Sequence, residues 1–249
     1  MKEAIYSGSR NLYPHMVAAA KSLIANSGVE RVWFLIEDPV FPDELPSMIE
    51  TIDVSGQGYF GPKGPNMKTQ FTYMALMRVC YAKLLPDTEK VLQLDVDTVV
   101  VDDVDELWRI DMGEAWFMAV REPERYVTDK AGEKHRIDYK PYGERYYNIG
   151  VAMFNLAQIR KDGIDNLLIN ALNTERLPYI DQDAWDKYGN TRCIDVPARY
   201  NESMVTGYTD DPAIVHYVGY MDWTVNPNLA RREYLKLYRD KTWDEVLHG

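Results

Sequence analysis

Lys90-Val91-Leu92-Gln93-Leu94-Asp95-Val96-Asp97-Thr98-Val99-Val100-Val101 is an apolar run broken at its centre by two acids. Residues 91–94 read as a buried strand, because β-branched and aliphatic side chains dominate with little polar alternation. Successive strand side chains point to opposite faces, so Asp95 and Asp97 share a face, roughly 7 Å apart at Cα. In open α/β sheets ligands bind beyond the carboxyl ends of strands, where this pair falls. Two readings stand: the acids converge on one cation, or they are solvated in a strand-terminal turn. The apolar residues on both sides argue against an idle surface position.

Towards the N-terminus, two periodicities alternate as strands and helices do around a largely parallel sheet. Residues 4–7 and 31–36 read as strands, 13–25 as the helix between them, and a third short strand is predicted near 51–54. Residues 55–66 are dense in Gly and Pro without periodicity. They predict a mobile loop, either a substrate lid or a plain connector. Residues 67–85 predict a helix, because Phe71, Met74, Ala75, Val79, Ala82 and Leu85 fall on one face. Arg78 interrupts that stripe. It either snorkels to the surface along its aliphatic stem or faces inward against an anion.

Towards the C-terminus, residues 116–120 predict a strand, and 121–147 are charged, Tyr-rich and unpatterned. A second apolar strand is expected over 148–156, a helix over 164–173, and short strands over 192–196 and 213–217, the last carrying His216. Asp181-Gln182-Asp183 lies between the helix and these strands.

The chain has 249 residues, 46% hydrophobic and 27% charged, enough to bury one sizeable core. With 28 Lys and Arg against 39 Asp and Glu, the net charge of −11 opposes a nucleic-acid partner. Cys80 and Cys193 are the two cysteines, too few for a disulfide framework and without a Cys-x-x-Cys spacing. The N-terminus carries charges at once, and the apolar stretch 16–25 is broken by Lys21. No secretory leader or membrane span is expected, and a cytoplasmic location fits.

Four short motifs now align in order. Arg78, eight residues before Pro86, precedes the run ending in Asp95-Val96-Asp97; Asn148-Ile149-Gly150-Val151, Asp181-Gln182-Asp183 and His216-Tyr217-Val218-Gly219 follow. Together they resemble the retaining glycosyltransferases of family 8, the group of glycogenin and bacterial lipooligosaccharide galactosyltransferases. The resemblance implies an α/β, Rossmann-like nucleotide-sugar transferase of GT-A type with a mixed central sheet, a single domain over residues 1–249. Residues 1–101 would form the nucleotide-binding part, and 102–249 the acceptor- and sugar-binding part with C-terminal helices. It further implies that Asp95, Asp97 and His216 hold Mn2+ or Mg2+, with the donor diphosphate completing the shell. An imidazole beside two carboxylates favours Mn2+. Ser7, Asn11, Arg78, Asp95, Asn148 and Gly219 would bind the donor, a UDP-sugar by resemblance. Asp181 and Gln182 would meet the sugar, Gln182 beside the anomeric carbon. The acceptor stays unnamed.

The departures are specific. Ser9 and Leu12 stand where the family commonly has Asp and Tyr, which weakens the implied uracil contacts. Arg121 occupies the place of a sugar-reading acid, with Glu122 adjacent. Asp222 stands where a diphosphate-clamping Lys is common, which makes Lys63, Lys68, Arg231 and Arg232 candidates for the missing cation, Lys68 foremost. Two other readings compete. Asp95-x-Asp97-x-Val99 also fits a haloacid dehalogenase-like phosphotransferase, although about ninety residues precede it. A non-catalytic sugar-nucleotide binding module is the other.

Overall fold

The computed structural model describes residues 1–69, 71–124, 126–136, 140–219 and 238–249. Strands β1 (Glu3–Ser7), β2 (Arg31–Ile36), β3 (Ile49–Asp53) and β4 (Lys90–Leu94) form the N-terminal half of the main sheet, with helix α1 (Tyr13–Ala25) between β1 and β2. A 3-10 segment, Tyr73–Cys80, runs into the short helix α2 (Tyr81–Leu84). After β4 come β5 (Thr98–Val100), α3 (Glu106–Arg109), β6 (Phe117–Arg121), the hairpin β7 (Tyr126–Thr128) and β8 (Lys134–Arg136), and the long β9 (Tyr147–Asn155). Helices α4 (Leu156–Asp162), α5 (Ile164–Thr174) and α6 (Ile180–Gly189) follow, then β10 (Cys193–Asp195) and β11 (Ile214–His216).

The seven-stranded sheet has the order β10-β6-β9-β4-β1-β2-β3. Its pairings are parallel except those of β9, which runs antiparallel to both β4 and β6. The mixed α/β sheet expected of a GT-A fold is present. Alternation along each strand feeds a core on each face: Ala4, Tyr6, Leu92 and Leu94 pack on one side, Ile5, Val91, Phe154 and Trp185 on the other. The chain leaves β1 to build β2 on one side and returns to place β4 on the other, so the strand order reverses at β1 and β4. That reversal opens a crevice beyond their carboxyl ends.

Two expectations change, and one segment left unassigned is helical. The helix predicted over 67–85 begins only at Tyr73 and is 3-10 for its first eight residues. Upstream, the Thr69 hydroxyl accepts from the Phe71 N–H at 3.0 Å, a local turn that competes with helix initiation and leaves Phe71 exposed. The loop over 55–66 is docked. Asn66 is buried, donates to the carbonyls of Leu172 and Glu175, and accepts from Leu177 N–H, while Asn173 donates to the Tyr59 carbonyl. Asp181-Gln182-Asp183, placed from the sequence only between a helix and a strand, lies within the first turn of α6, where acids complement the helix dipole. Asp222, Arg231 and Arg232 lie outside the described residues. Among the described residues, no helix is long and apolar enough to cross a membrane.

Candidate active site

Asp95 and Asp97 leave the end of β4, but a turn rather than strand alternation brings them together. Thr98 N–H donates to the Asp95 carbonyl at 3.1 Å and the Thr98 hydroxyl does so at 2.7 Å. Val96, between the acids, is buried in the core and pins the turn. The antiparallel register of β5 and β11 sets His216 opposite Thr98. Tyr217 N–H then donates to the Asp97 carbonyl at 2.9 Å. His216 Nε2 thus stands 3.3 Å from Asp97 Oδ1 and 3.6 Å from Asp95 Oδ2. One ligand atom from each of the three lies within 4.8 Å of the others, so the cluster could hold a metal ion.

Gly150 makes this approach possible. A Cβ there would sit 2.2 Å from His216 Cε1 and 2.9 Å from Asp95 Oδ2, closer than atoms can pack. The Gly150 carbonyl accepts from Asp95 N–H at 2.7 Å, which ties the acid turn to β9. Gln93, buried within β4, donates to Asp95 Oδ1 at 3.1 Å.

The cluster borders a cavity of about 460 Å³, whose walls include Arg78, Glu122, Tyr146, Asn148, Asp181 and Gln182. Arg78 faces inward and does not snorkel: its guanidinium meets Asp95 Oδ1 at 2.5 Å and Asp181 Oδ2 at 3.3 Å. Burial disfavours its charge, but Asp95 and Asp181 outweigh that and raise its pKa. Burial likewise pushes Asp181 up to about 6, with Arg78 opposing the shift and Asp95 adding to it. Asp95 is raised by burial, and also by Asp97, against the pull of Arg78. Burial pulls His216 down, yet its two acids override this and hold the imidazole above its ordinary pKa. In the absence of another cation, a proton on His216 partly balances the acids. Two carboxylates and one imidazole nitrogen form a donor set that suits a divalent ion.

The remaining sequence-predicted residues fall into four groups. Asn148, Asp181, Gln182 and Gly219 line the cavity, and Gly219 N–H donates to Asp97 Oδ2. Ser7 ends β1 and Asn11 lies exposed in the turn Arg10–Leu12; neither is on the cavity wall. Lys63 and Lys68 are exposed and also off the wall, so the docked loop gives Lys68 no contact with the cavity. At the end of β6, Arg121 turns away to donate to the Glu144 carbonyl at 2.9 Å. Glu122, buried, takes the cavity position instead, two residues beyond a register shift between Ala119 and Val120.

Two features of the wall leave no mark in the sequence. Ile180 (φ 38°) and Val218 (φ 52°) have positive φ, which is costly for β-branched residues. Each adjoins a cavity residue, Asp181 and Gly219 respectively, and such strain gathers where a site dictates the backbone. Gln93 did carry a signal, a lone amide inside an apolar strand.

The family model for glycosyl transferase family 8 matches residues 5–223. Among relatives, "Probable glycosyl transferase Gly" of Streptococcus gordonii is 26% identical over 192 residues, covering 73% of this chain and 26% of its own length. General stress protein A of Bacillus subtilis is 23% identical, covering 95% of this chain and 92% of its own. The chain spans between a quarter and just over half of the first three relatives it matches, 26%, 56% and 25%. Among solved structures, the galactosyltransferase LgtC in complex with donor and acceptor sugar analogs superposes with a TM-score of 0.67 at 20% identity, covering 98% of both chains. That likeness gives the fold, a GT-A type. It leaves no support for the phosphotransferase reading, which rested on one short motif. The chain belongs to glycosyltransferase family 8.

Proposed function

We propose that this chain is a metal-dependent, retaining hexosyltransferase that takes its sugar from a UDP-sugar. The observation that supports it best is the convergence of Asp95, Asp97 and His216 at the edge of a cavity whose wall also carries Arg78, Asn148, Asp181 and Gln182. The four carboxylates of the cavity, Asp95, Asp97, Glu122 and Asp181, would repel a diphosphate strongly without a counter-ion. A divalent ion bound by Asp95, Asp97 and His216 would neutralise charge growing on the leaving diphosphate.

The chain's own groups supply the rest. Arg78 holds Asp95 and Asp181 in place, and its positive charge favours an anionic donor. Asn148 Oδ1 is already engaged by two donors, so the amide Nδ2 is left to donate to a sugar oxygen. Asp181 and Glu122 accept from sugar hydroxyls. Gln182 Oε1 accepts from Ile149 N–H at 3.2 Å, which orients the amide on the cavity wall. Among the described residues, no side chain on that wall is both strongly nucleophilic and uncommitted. We therefore favour displacement on one face of the sugar, with the leaving phosphate taking the acceptor's proton. Glu122 and Tyr146, one residue inside each end of the 121–147 segment, line the cavity, which makes that segment the candidate acceptor-binding insertion.

The test is a screen of nucleotide sugars for Mn2+-dependent donor hydrolysis, which requires no acceptor. Hydrolysis of a UDP-hexose that stops on chelation supports the proposal. Donor binding without turnover under every divalent ion would favour the binding-module reading.

A further inference from the structure

Asn201 is fully buried, lies in a stretch without helical or strand periodicity, and belongs to no sequence motif named above. Its side chain joins two motifs that are far apart in sequence. Its Oδ1 is 2.9 Å from His216 Nδ1. Its Nδ2 donates to Asn148 Oδ1 at 2.8 Å and reaches the Asn148 carbonyl at 3.4 Å. Asn148 Oδ1 also accepts from Gly150 N–H at 3.1 Å.

Amide orientations and imidazole tautomers follow from the partners they face. A backbone N–H can only donate, so Gly150 requires the oxygen of Asn148 to face it. That oxygen in turn requires the nitrogen of Asn201, which leaves the oxygen of Asn201 facing the imidazole. His216 Nδ1 must then carry a proton. With Nδ1 protonated, neutral His216 has its lone pair on Nε2, the atom that faces Asp95 and Asp97. Turning either amide over would set donor against donor at Gly150 or acceptor against acceptor at Asn148. The backbone around Asn201 is held too: its carbonyl accepts from the Thr206 hydroxyl, and the next residue brackets β11 through Glu202 N–H to Ile214 O and His216 N–H to Glu202 O, each 2.9 Å.

We propose that Asn201 is a positioning residue that holds His216 in the Nδ1-protonated tautomer and, through Asn148, links the metal-ligand cluster to the sugar pocket. The proposal rests on the metal-dependent reading of the site. A ligating histidine commonly donates its second ring N–H to a neighbouring acceptor, and loss of that acceptor typically lowers metal affinity 10- to 100-fold. Here the acceptor is a neutral amide whose polarity is set by a backbone N–H two residues beyond Asn148.

Two measurements test it. In Mn2+ calorimetry, Asn201→Leu removes both contacts and is expected to weaken binding about 10- to 100-fold. Asn201→Asp still accepts from Nδ1–H and is expected to stay within about threefold of wild type, because its cost falls on Asn148. Asn148→Asp, which can accept from both Gly150 and Asn201, is expected to keep Mn2+ affinity as well. In the metal-free protein at a pH high enough to remove the imidazolium proton, 15N spectra of the four histidines should show His216 protonated on Nδ1, assigned by its absence in His216→Ala. Wild-type Mn2+ affinity in a folded Asn201→Leu, or a proton on Nε2, overturns the proposal. Failure of the wild type to bind Mn2+ at all overturns the functional reading instead, and the metal-free spectrum still decides the tautomer.

Discussion

Among the described residues two groups of acids and a histidine bring ligand atoms within 4.8 Å of one another, Asp95/Asp97/His216 and Asp129/Glu133/His135. By that distance they are equals. The second sits on the exposed turn of the β7–β8 hairpin, and its geometry is explained locally. Asp129 Oδ1 accepts from Ala131 and Glu133 N–H at 2.9 Å each, and Oδ2 lies 2.8 Å from His135 Nε2. Side chains that close a turn on themselves are satisfied without an ion. The first group draws on β4, β5 and β11, packs against a glycine that a Cβ would break, and presents its acids to a cavity. Convergence of ligands is common; what separates the clusters is that the first is imposed by distant backbone, which buries Asp95 and raises its pKa, while His216 and the Gly219 N–H outweigh burial and hold Asp97 below the ordinary carboxylate range.

The largest expected effect on this contrast comes from Gly150→Ala. A methyl group there must displace His216 or Asp95, so Mn2+ affinity by calorimetry should fall at least about a hundredfold, at the upper end for loss of site support. Overpacking should also lower stability by about 1–3 kcal/mol in urea melts. Retained Mn2+ binding would mean that the cluster does not need this packing. Next come Asp97→Asn and His216→Ala, each expected to reduce turnover by about a hundredfold or more with the fold intact by circular dichroism, the scale of losing one electrostatic stabiliser.

A smaller, pH-dependent effect belongs to Asp181. Its folded pKa, about 6, lies above the ordinary 3.8, so the folded state keeps this proton longer than the unfolded chain does. The resulting stabilisation is full below about pH 4 and is lost as pH rises through about 6. Asp181→Asn removes that loss, and Arg78 retains Asp95 as a partner. In metal-free protein the variant should gain on wild type between these limits, by up to about 3 kcal/mol, at 1.36 kcal/mol per pK unit. A constant difference from pH 4 to 7 in denaturant titrations would show that Asp181 is not destabilised by its burial. The smallest effect is at the hairpin, where Asp129→Asn and His135→Ala should leave Mn2+-dependent turnover unchanged within about twofold; a large loss in either would make the exposed cluster a site.

Much of the frame was legible in the sequence because local and global signals agree there. Helix α1 and strand β2 have the bounds that periodicity predicts, Tyr13–Ala25 and Arg31–Ile36. Asp95 and Asp97 stood out because apolar strands abut them, whereas His216 was legible only through the resemblance of His216-Tyr217-Val218-Gly219 to the family's C-terminal motif. Arg78 was readable as a misplaced charge, and its two acids answer the question that the stripe raised. What escaped is set by local turns or by partners distant in sequence. The late start of the helical segment at Tyr73 goes with a turn at Thr69, and the approach of Asp95 and Asp97 with a turn that Val96 anchors. Glu122 in place of Arg121 follows a register shift in β6 and β9. Asn201 is ordinary in its own stretch and acquires meaning only when β9 and β11 flank it.

On the proposed function, Asp95, Asp97 and His216 hold a cation for a nucleotide diphosphate. Calorimetry of UDP with the intact chain tests it most directly, in excess Mn2+ and again in excess chelator. Saturable UDP binding in Mn2+ that weakens at least about tenfold on chelation is the predicted result, since a factor of ten is only about 1.4 kcal/mol of the repulsion that the cation removes. Equal UDP affinity in both conditions would contradict it.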